Sequence, residues 1–510
     1  LYAERAGESA FWLGACRDAI PFLERARAFR AREPVREPVE LARVEEQLAE
    51  AYWQVGPVAR ALEVGMQALA HYGCPLPRTW LGWVAGTLGE AAVRVAQRVW
   101  SAPFAEREPI GRARRQALVR LMGTLVESCC FRQHRLKALW SHLRLLNLGE
   151  PLGPSALLAR TYAVLAVAVG AGALHRLGWA WARKAIELVE RVGDDVDRAF
   201  VYSRAASCFS VGARWEVLQP LLDRCEALLE KVQVDRVLDE SRFILAATAL
   251  IRGQLTRALH LWERAEASAR RKSFVLLRRW GQHLHALSLV RLGRPVEAVA
   301  GLRASAEAVA ADNSGIESLV FHGVLALGLL RSGKPEQAHA HARKALAELA
   351  LRPALERYST FGLVATAEVL VRLADELPFA SNAERAQVLR EAREACGHMW
   401  RCARLFTFLE PAAWWCQGRL ESLPGYSFEA HRSFWRARAA AARLGLPLEE
   451  ARAALELARL LPPGNPHRRE LLDQARALID GLGAADGLRE VEADLRREGL
   501  AHGEAEPASF

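Results

Sequence analysis

Glycine recurs along this chain in a frame that few folds can satisfy. A glycine is followed five residues later by alanine and twelve residues later by alanine or serine, at Gly56, Gly253, Gly293, Gly333 and Gly425. The step from Gly212 to Gly253 is 41 residues, and the next two steps are 40 residues each. A constant period of this length predicts an array of stacked structural repeats.

The frame has a direct interpretation as pairs of helices. Glycine can end the first helix in a left-handed cap, and the two small residues then share one face of the second helix, where a neighbouring backbone approaches closely. The composition agrees, since Ala, Leu, Arg and Glu dominate and favour helix, and we find no strand pattern. The sequence therefore predicts an all-α superhelical solenoid of antiparallel helix pairs with a period of about 40 residues.

Three segments carry a resemblance to a known repeat family. Residues 49–69, AEAYWQVGPVARALEVGMQAL, resemble a tetratricopeptide repeat, with Tyr52, Gly56, Ala61 and Ala68 in the consensus places. Residues 249–267 and 289–305 resemble it as well. The resemblance implies a scaffold that binds a protein or peptide. The period exceeds that of the family, so we expect longer loops between helices and a less regular superhelix.

A second resemblance concerns the N-terminal region. Residues 2–29, YAERAGESAFWLGACRDAIPFLERARAF, and residues 73–90, GCPLPRTWLGWVAGTLGE, resemble the C-terminal helical region of AAA/STAND-type signalling ATPases linked to adenylate-cyclase or Ser/Thr-kinase domains. This implies a cytoplasmic regulatory segment whose partner could be an upstream ATPase domain of the same longer chain. The first residue is Leu and not Met, so we expect a preceding part. This segment has no G-x-x-x-x-G-K-[ST] phosphate loop, so we expect no nucleotide site in it.

Breaks in the rhythm predict five regions. They are N-terminal helix pairs at 1–75, a divergent helical segment with a basic loop at 76–150, a regular array at 151–380, divergent helix pairs at 381–500 and a disordered tail at 501–510. The most apolar stretch, residues 161–174, is too short to span a bilayer, so we expect no membrane span.

The net charge of +10 raises the alternative of a nucleic-acid-binding solenoid. Most charges alternate in sign along helices, which is typical of solvated helix faces. One segment is more basic, and its cationic residues are Arg94, Arg98, Arg112, Arg114, Arg115, Arg120, Arg132, Arg135 and Lys137. Charge alone is weak evidence, so we favour a protein partner over nucleic acid.

No motif predicts catalysis, a cofactor or a metal site. His283 and His285 are two residues apart, which points them to different sides of a helix, so we expect exposed or capping histidines. Cys396, His398 and Cys402 come closer to a zinc pattern but lack a fourth ligand. We therefore expect no enzyme activity in this segment.

The inner face of the array is the predicted binding groove. In tetratricopeptide arrays the first helix of each pair lines the groove, and the repeat frame assigns to it Phe243, Leu250, Ile251, Trp280, His283, Val290, Arg291, Leu330 and Arg331. An apolar strip edged by arginine suits a peptide or helix with acidic flanks. The alternative is that these residues only pack against neighbouring helices.

Overall fold

A computed structural model describes the chain at residues 2–32, 38–55, 57–74, 76–99, 111–131, 135–170, 174–231, 236–271, 275–305, 315–351, 356–376, 382–423 and 427–503. These residues form α-helices and two short 3-10 helices, Glu150–Leu152 and Thr407–Leu409, and no strand. The predicted all-α class is confirmed. The predicted tail lies mostly outside these residues, except that the last helix continues to Gly503.

The first seven helices build the N-terminal part. They are α1 Tyr2–Trp12, α2 Cys16–Arg30, α3 Pro38–Val55, α4 Val58–His71, α5 Trp80–Val99, α6 Arg112–Phe131 and α7 Arg135–Gly149. Helices α1/α2, α3/α4 and α6/α7 pack as pairs, and α5 is an additional helix that packs on α7. The divergence predicted for residues 76–150 thus coincides with an inserted helix.

The next ten helices form five pairs. They are α8 Ala156–Gly170, α9 His175–Val192, α10 Asp195–Val211, α11 Trp215–Lys231, α12 Arg236–Ile251, α13 Leu255–Arg271, α14 Val275–Arg291, α15 Pro295–Arg303, α16 Gly315–Arg331 and α17 Pro335–Leu351. The last seven are α18 Arg357–Glu376, α19 Asn382–Ala403, α20 Glu410–Ser422, α21 Phe428–Arg443, α22 Pro447–Leu460, α23 Pro466–Leu482 and α24 Ala485–Gly503.

The predicted glycine caps are confirmed where the repeat is most regular. Gly253, Gly293 and Gly333 have φ values of 74°, 78° and 72°, a region that a residue with Cβ resists. At the preceding repeat the prediction is one residue off, because Ala213 takes the positive φ of 50° while Gly212 stays at −94°. Gly56 and Gly425 lie outside the described residues.

The small residues of the frame are buried against the partner helix, as predicted. Each has at most 8% of its surface exposed in the five repeats, at Ala61, Ala68, Ala258, Ala265, Ala298, Ser305, Ala338, Ala345, Ala430 and Ala437.

The 40-residue period does not have one cause along the array. Helices α13, α14, α16 and α17 each have 17 residues, and three residues separate α12 from α13, α13 from α14 and α16 from α17. In these pairs the helices supply the extra length, whereas α15 has only 9 residues and 11 residues separate it from α16.

The superhelix closes on itself after about five repeats. The Thr407 Oγ1 donates to the Val211 carbonyl oxygen at 2.7 Å, although the two residues are 196 positions apart. Trp215 Nε1 donates to the carbonyl oxygen of Leu444, 229 positions later. Gly253 lies against Leu448 on α22. The C-terminal helices therefore return to the ends of α10 and α12 and form one continuous core with them.

Candidate functional site

The inner face of the superhelix contains an open pocket beside its N-terminal half. The pocket is a cavity of about 170 Å³ between α3, α6, α7, α8, α10 and α12. Aromatic, aliphatic and charged side chains line it, among them Glu50, Trp53, Thr124, His142, Arg160, Val164, Phe200 and Glu240. This mixture of apolar walls with a few polar groups is typical of a binding site.

The ring of Phe200 lies between two guanidinium groups in this open pocket. Arg160 and Arg204 approach the ring centroid to 5.2 Å and 4.3 Å. Each arginine also pairs with a carboxylate of the same region, Arg160 with Asp197 at 2.6 Å and Arg204 with Glu240. The charges are thus balanced by carboxylates of neighbouring helices.

Arg357 lies against α10 and α12, and no charged residue within the described ranges pairs with it. Its Nη1 donates to Ser210 Oγ at 3.2 Å and to Thr248 Oγ1 at 3.1 Å, on the helices α10 and α12 that also line the open pocket. Among the described residues no carboxylate pairs with it, and its Nε and Nη2 have no acceptor. Burial, together with the nearby charge of Arg204, lowers the pKa of Arg357 to about 10. An anion would restore the favourable environment of this cation.

Tyr358 ends the open region by inserting into the predicted groove. Its ring stacks on Trp280 with centroids 4.5 Å apart and lies 6.1 Å from Phe243. Its hydroxyl is 2.6 Å from His283 Nδ1. The expectation that His283 is exposed or caps a helix is wrong, because the side chain is fully buried, and burial with the charge of Arg279 lowers its pKa to about 3.

Beyond Tyr358 the inner face is closed by an ionic network centred on Glu368. This carboxylate, 1% exposed, pairs with Arg291 at 2.6 Å, Arg452 at 2.9 Å and Arg331 at 3.1 Å. Burial alone would raise the pKa of Glu368, but the surrounding guanidiniums outweigh it and hold that pKa well below its ordinary value. Such a site is stable only while the charges remain paired.

A second carboxylate, Glu490 on α24, completes the closed network. It pairs with Arg331, with Arg372 at 3.0 Å and with Arg459 at 3.3 Å. Burial raises the pKa of Glu490, but these arginines reverse the effect and lower it strongly. The cavity left at this level is about 30 Å³, roughly the volume of one water molecule. The closed network has no space for a peptide.

The nine predicted groove residues do lie on the first helices of their repeats, in contact with other parts of the chain. Phe243, Leu250, His283 and Val290 are buried, and Ile251, Trp280 and Leu330 are packed against the same core. Arg291 and Arg331 belong to the closed network. Whether any of them contacts a partner stays a prediction.

The residues of the open pocket were missed by the sequence analysis. They occupy the same inner face in earlier repeats, where residues 49–69 already matched the repeat frame. The repeat frame, extended from α12 back to α3, α8 and α10, would have placed these residues on the inner face.

The predicted basic patch is divided among separate contacts within the chain. Arg94 pairs with Glu150 and Arg120 pairs with Glu46 at 3.0 Å. Arg114 donates to the Tyr72 carbonyl oxygen, Arg115 is buried, and Lys137 lies 5.5 Å from the Trp83 ring centroid. Arg132 lies outside the described residues, and so do the side chains of Arg98, Arg112 and Arg135. Nucleic-acid binding remains the alternative prediction.

The candidate zinc residues lie in the core of α19. Cys396, His398 and Cys402 are all buried, and burial lowers the pKa of His398 to about 4. Within the described ranges, no three or more His, Cys, Asp or Glu residues are grouped closely enough to hold a metal ion. In the same ranges, no helix combines the length and apolarity needed to cross a bilayer.

Comparisons with known proteins find only distant matches among solved structures. No protein-family model and no curated protein matches the chain. Among solved structures, a Rap protein complexed with Competence and Sporulation Factor is 11% identical, with a TM-score of 0.39, and the match covers 85% of this chain and 99% of that one. Yeast Tom70 is 13% identical, with a TM-score of 0.35 and coverage of 99% and 97%.

A third similar structure is the APC/C hetero-tetramer Cut9–Hcn1. It is 13% identical, with a TM-score of 0.32 and coverage of 96% of both chains. The chain is an all-α helical-repeat array. Its resemblance to tetratricopeptide repeats and the resemblance of its N-terminal region to signalling ATPases stay predictions.

Proposed function

We propose that this chain is a protein-binding scaffold that holds a segment of another protein, or of a neighbouring domain, in the open pocket. The observation that carries the proposal is the contrast in space on the inner face, where a cavity of about 170 Å³ precedes a closed region with about 30 Å³. Binding surfaces are concave and mostly apolar with a few placed polar groups, which describes the open pocket and not the closed network.

Beside the open pocket, against the same helices α10 and α12, Arg357 favours a segment with an acidic group. Arg357 offers Nε and Nη2, the edge that a carboxylate engages with two parallel hydrogen bonds. Phe200 provides an apolar surface for an adjacent side chain, and its position between Arg160 and Arg204 fixes the ring. The ligand is therefore a peptide or helix that presents an aspartate, a glutamate or a C-terminal carboxylate toward Arg357.

The resemblance of residues 2–29 and 73–90 supports a more specific context. In this context the array is the cytoplasmic, partner-sensing part of a larger signalling ATPase, and ligand binding gates an upstream domain. The resemblance alone supports it. Sequencing the gene upstream of Leu1 tests it, and a phosphate loop in that region is the expected result. An upstream reading frame that lacks nucleotide-binding motifs would refute this context while leaving the binding proposal intact.

Site-specific photo-crosslinking in cells tests the binding proposal. A photoreactive amino acid at Val164, which lines the open pocket, is compared with one at Val296, which is 73% exposed on α15. We expect a discrete protein adduct from position 164, identifiable by mass spectrometry, and none of the same mass from position 296. Phe200→Ala should abolish the adduct. An adduct from both positions, or from neither, would contradict the proposal.

A further inference from the structure

Helix α5 directs charged residues toward the protein and exposes large apolar residues to solvent. Its charged residues with described side chains face the body of the protein, where Glu90 is 3.2 Å from Arg144 and Arg94 pairs with Glu150. Three of its large apolar residues face solvent, with Trp80 and Leu81 both 71% exposed and Leu88 66% exposed. An ordinary surface helix has the opposite arrangement.

The exposed residues form one continuous stripe with coiled-coil spacing. Successive members lie four, three, four and three residues apart at Leu81, Ala85, Leu88, Ala92 and Val95, and all five are exposed. This spacing is that of the core positions of a heptad repeat, which pack against a second helix. Gly89 borders the stripe, and nothing lies within 4 Å of where its Cβ would be, so a neighbouring helix can approach closely.

The stripe fits a second copy of the same helix. The order large, small, large, small, large is the same in both directions from Leu88, so in an antiparallel two-fold contact Leu81 faces Val95 and Leu88 faces its own copy. The stripe carries no charge, so it needs no oppositely charged partner. The side chains of Trp80, Leu81, Leu88 and Val95 from both copies would bury on the order of 1,000 Å², the size of a specific interface.

A membrane surface fits less well. Helices that lie in a membrane interface carry Lys or Arg on the face opposite their apolar side. In α5 that face is occupied by Trp83, Thr87, Glu90 and Arg94, which are buried or partly buried in contact with the protein. We propose that α5 is a dimerisation helix, and that the full chain forms an antiparallel α5–α5 homodimer with its two-fold axis at Leu88.

Cysteine crosslinking of the full chain tests the geometry. With the axis at Leu88, Leu88→Cys should form a disulfide-linked dimer under mild oxidation. Leu81→Cys alone should not, because the two copies of position 81 would lie about 20 Å apart along the helices. The double variant Leu81→Cys/Val95→Cys should crosslink, since position 81 faces position 95 of the other copy. The unsubstituted chain, treated alike, controls for its own cysteines.

Sedimentation velocity tests the association itself. The full chain at micromolar concentration should sediment with twice the mass of one chain, and Leu88→Glu should sediment as a monomer with unchanged helical circular dichroism. Val296→Glu, at an equally exposed position on α15, should remain a dimer. A monomeric unsubstituted chain would overturn the proposal, whether or not it binds vesicles or other proteins. So would a dimer that survives Leu88→Glu, or a Leu81→Cys chain that crosslinks as readily as Leu88→Cys.

Discussion

The open pocket and the closed network use the same face of the same kind of helix in opposite ways. In the open pocket Arg160 and Arg204 pair with Asp197 and Glu240, 37 and 36 residues away, so each charge is satisfied within the next repeat. In the closed network Arg331 pairs with Glu490, 159 residues away. The inner face therefore becomes core where the chain returns to it, and stays a surface where it does not.

The largest expected difference concerns the central carboxylate of the closed network. Glu368→Gln would leave the guanidiniums of Arg291, Arg331 and Arg452 around a neutral side chain, and breaking a buried ionic cluster by removing one partner costs about 3–5 kcal/mol. Glu240→Gln in the open pocket removes the charged partner of Arg204 and should cost about 1 kcal/mol. Urea unfolding of both variants measures the two losses.

An equal loss of stability in Glu368→Gln and Glu240→Gln would contradict the contrast between the closed network and the open pocket. An equal loss would mean that the closed network is as accessible to water as the open pocket, so that solvent compensates the lost carboxylate. Circular dichroism at 222 nm follows unfolding of both variants.

Two glycines at the middle of inner helices sharpen the contrast in packing. A Cβ at Gly323 on α16 would clash with the Gly362 carbonyl oxygen, so Gly323→Ala must push α16 and α18 apart and should cost about 3 kcal/mol. Nothing lies within 4 Å of a Cβ at Gly123, which lines the open pocket. Gly123→Ala should therefore stabilise α6 by about 0.5–1 kcal/mol, as expected for an unobstructed helix interior.

Thermal unfolding of both alanine variants checks this expectation. The midpoint should fall for Gly323→Ala and rise slightly for Gly123→Ala. If both midpoints fell by similar amounts, the cavity beside α6 would have to close in solution, which would remove the space on which the proposed binding depends.

Acid should weaken the protein through its buried histidines before it affects the closed network. His283 has a folded pKa of about 3 against roughly 6.5 when unfolded, so its contribution is complete above pH 6.5 and is lost as the pH falls toward 3. Between pH 7.5 and pH 5 the free energy of unfolding that His283 alone contributes should fall by about 2 kcal/mol. The pKa of Glu368 is also lowered, so its contribution persists down to about pH 4.3 and fades only below it.

Urea unfolding at pH 7.5 and pH 5 tests the assignment. His283→Gln should lose about 2 kcal/mol less than the unsubstituted chain over this interval, whatever its stability at pH 7.5. An unchanged pH dependence in His283→Gln would show that other groups, such as His142 in the open pocket with its pKa of about 4, account for the loss.

The sequence predicted the fold because its strongest constraints are local. The glycine caps and the buried alanines of the frame depend on contacts within one helix pair, and these are fixed by spacing along the chain. The return of the C-terminal helices depends on curvature that accumulates over about five repeats, so a small error per repeat moves the final contact by many residues. One hint was present in Glu368, which is the one charged residue between Val364 and Val371.

Arg357→Gln has the smallest expected effect on stability, and it best distinguishes a binding residue from a core residue. Arg357 has no carboxylate partner among the described residues, and its lowered pKa shows that the folded protein disfavours its charge. Arg357→Gln should therefore leave the free energy of unfolding unchanged or raise it by about 1 kcal/mol, in contrast to the loss expected for Glu368→Gln. The same variant should reduce the photo-adduct from position 164, because the bound carboxylate loses its partner. Urea unfolding and adduct yield, measured on one preparation, give both results. If Arg357→Gln instead destabilises the chain by several kcal/mol with the adduct retained, Arg357 belongs to the core and the ligand is recognised elsewhere in the open pocket.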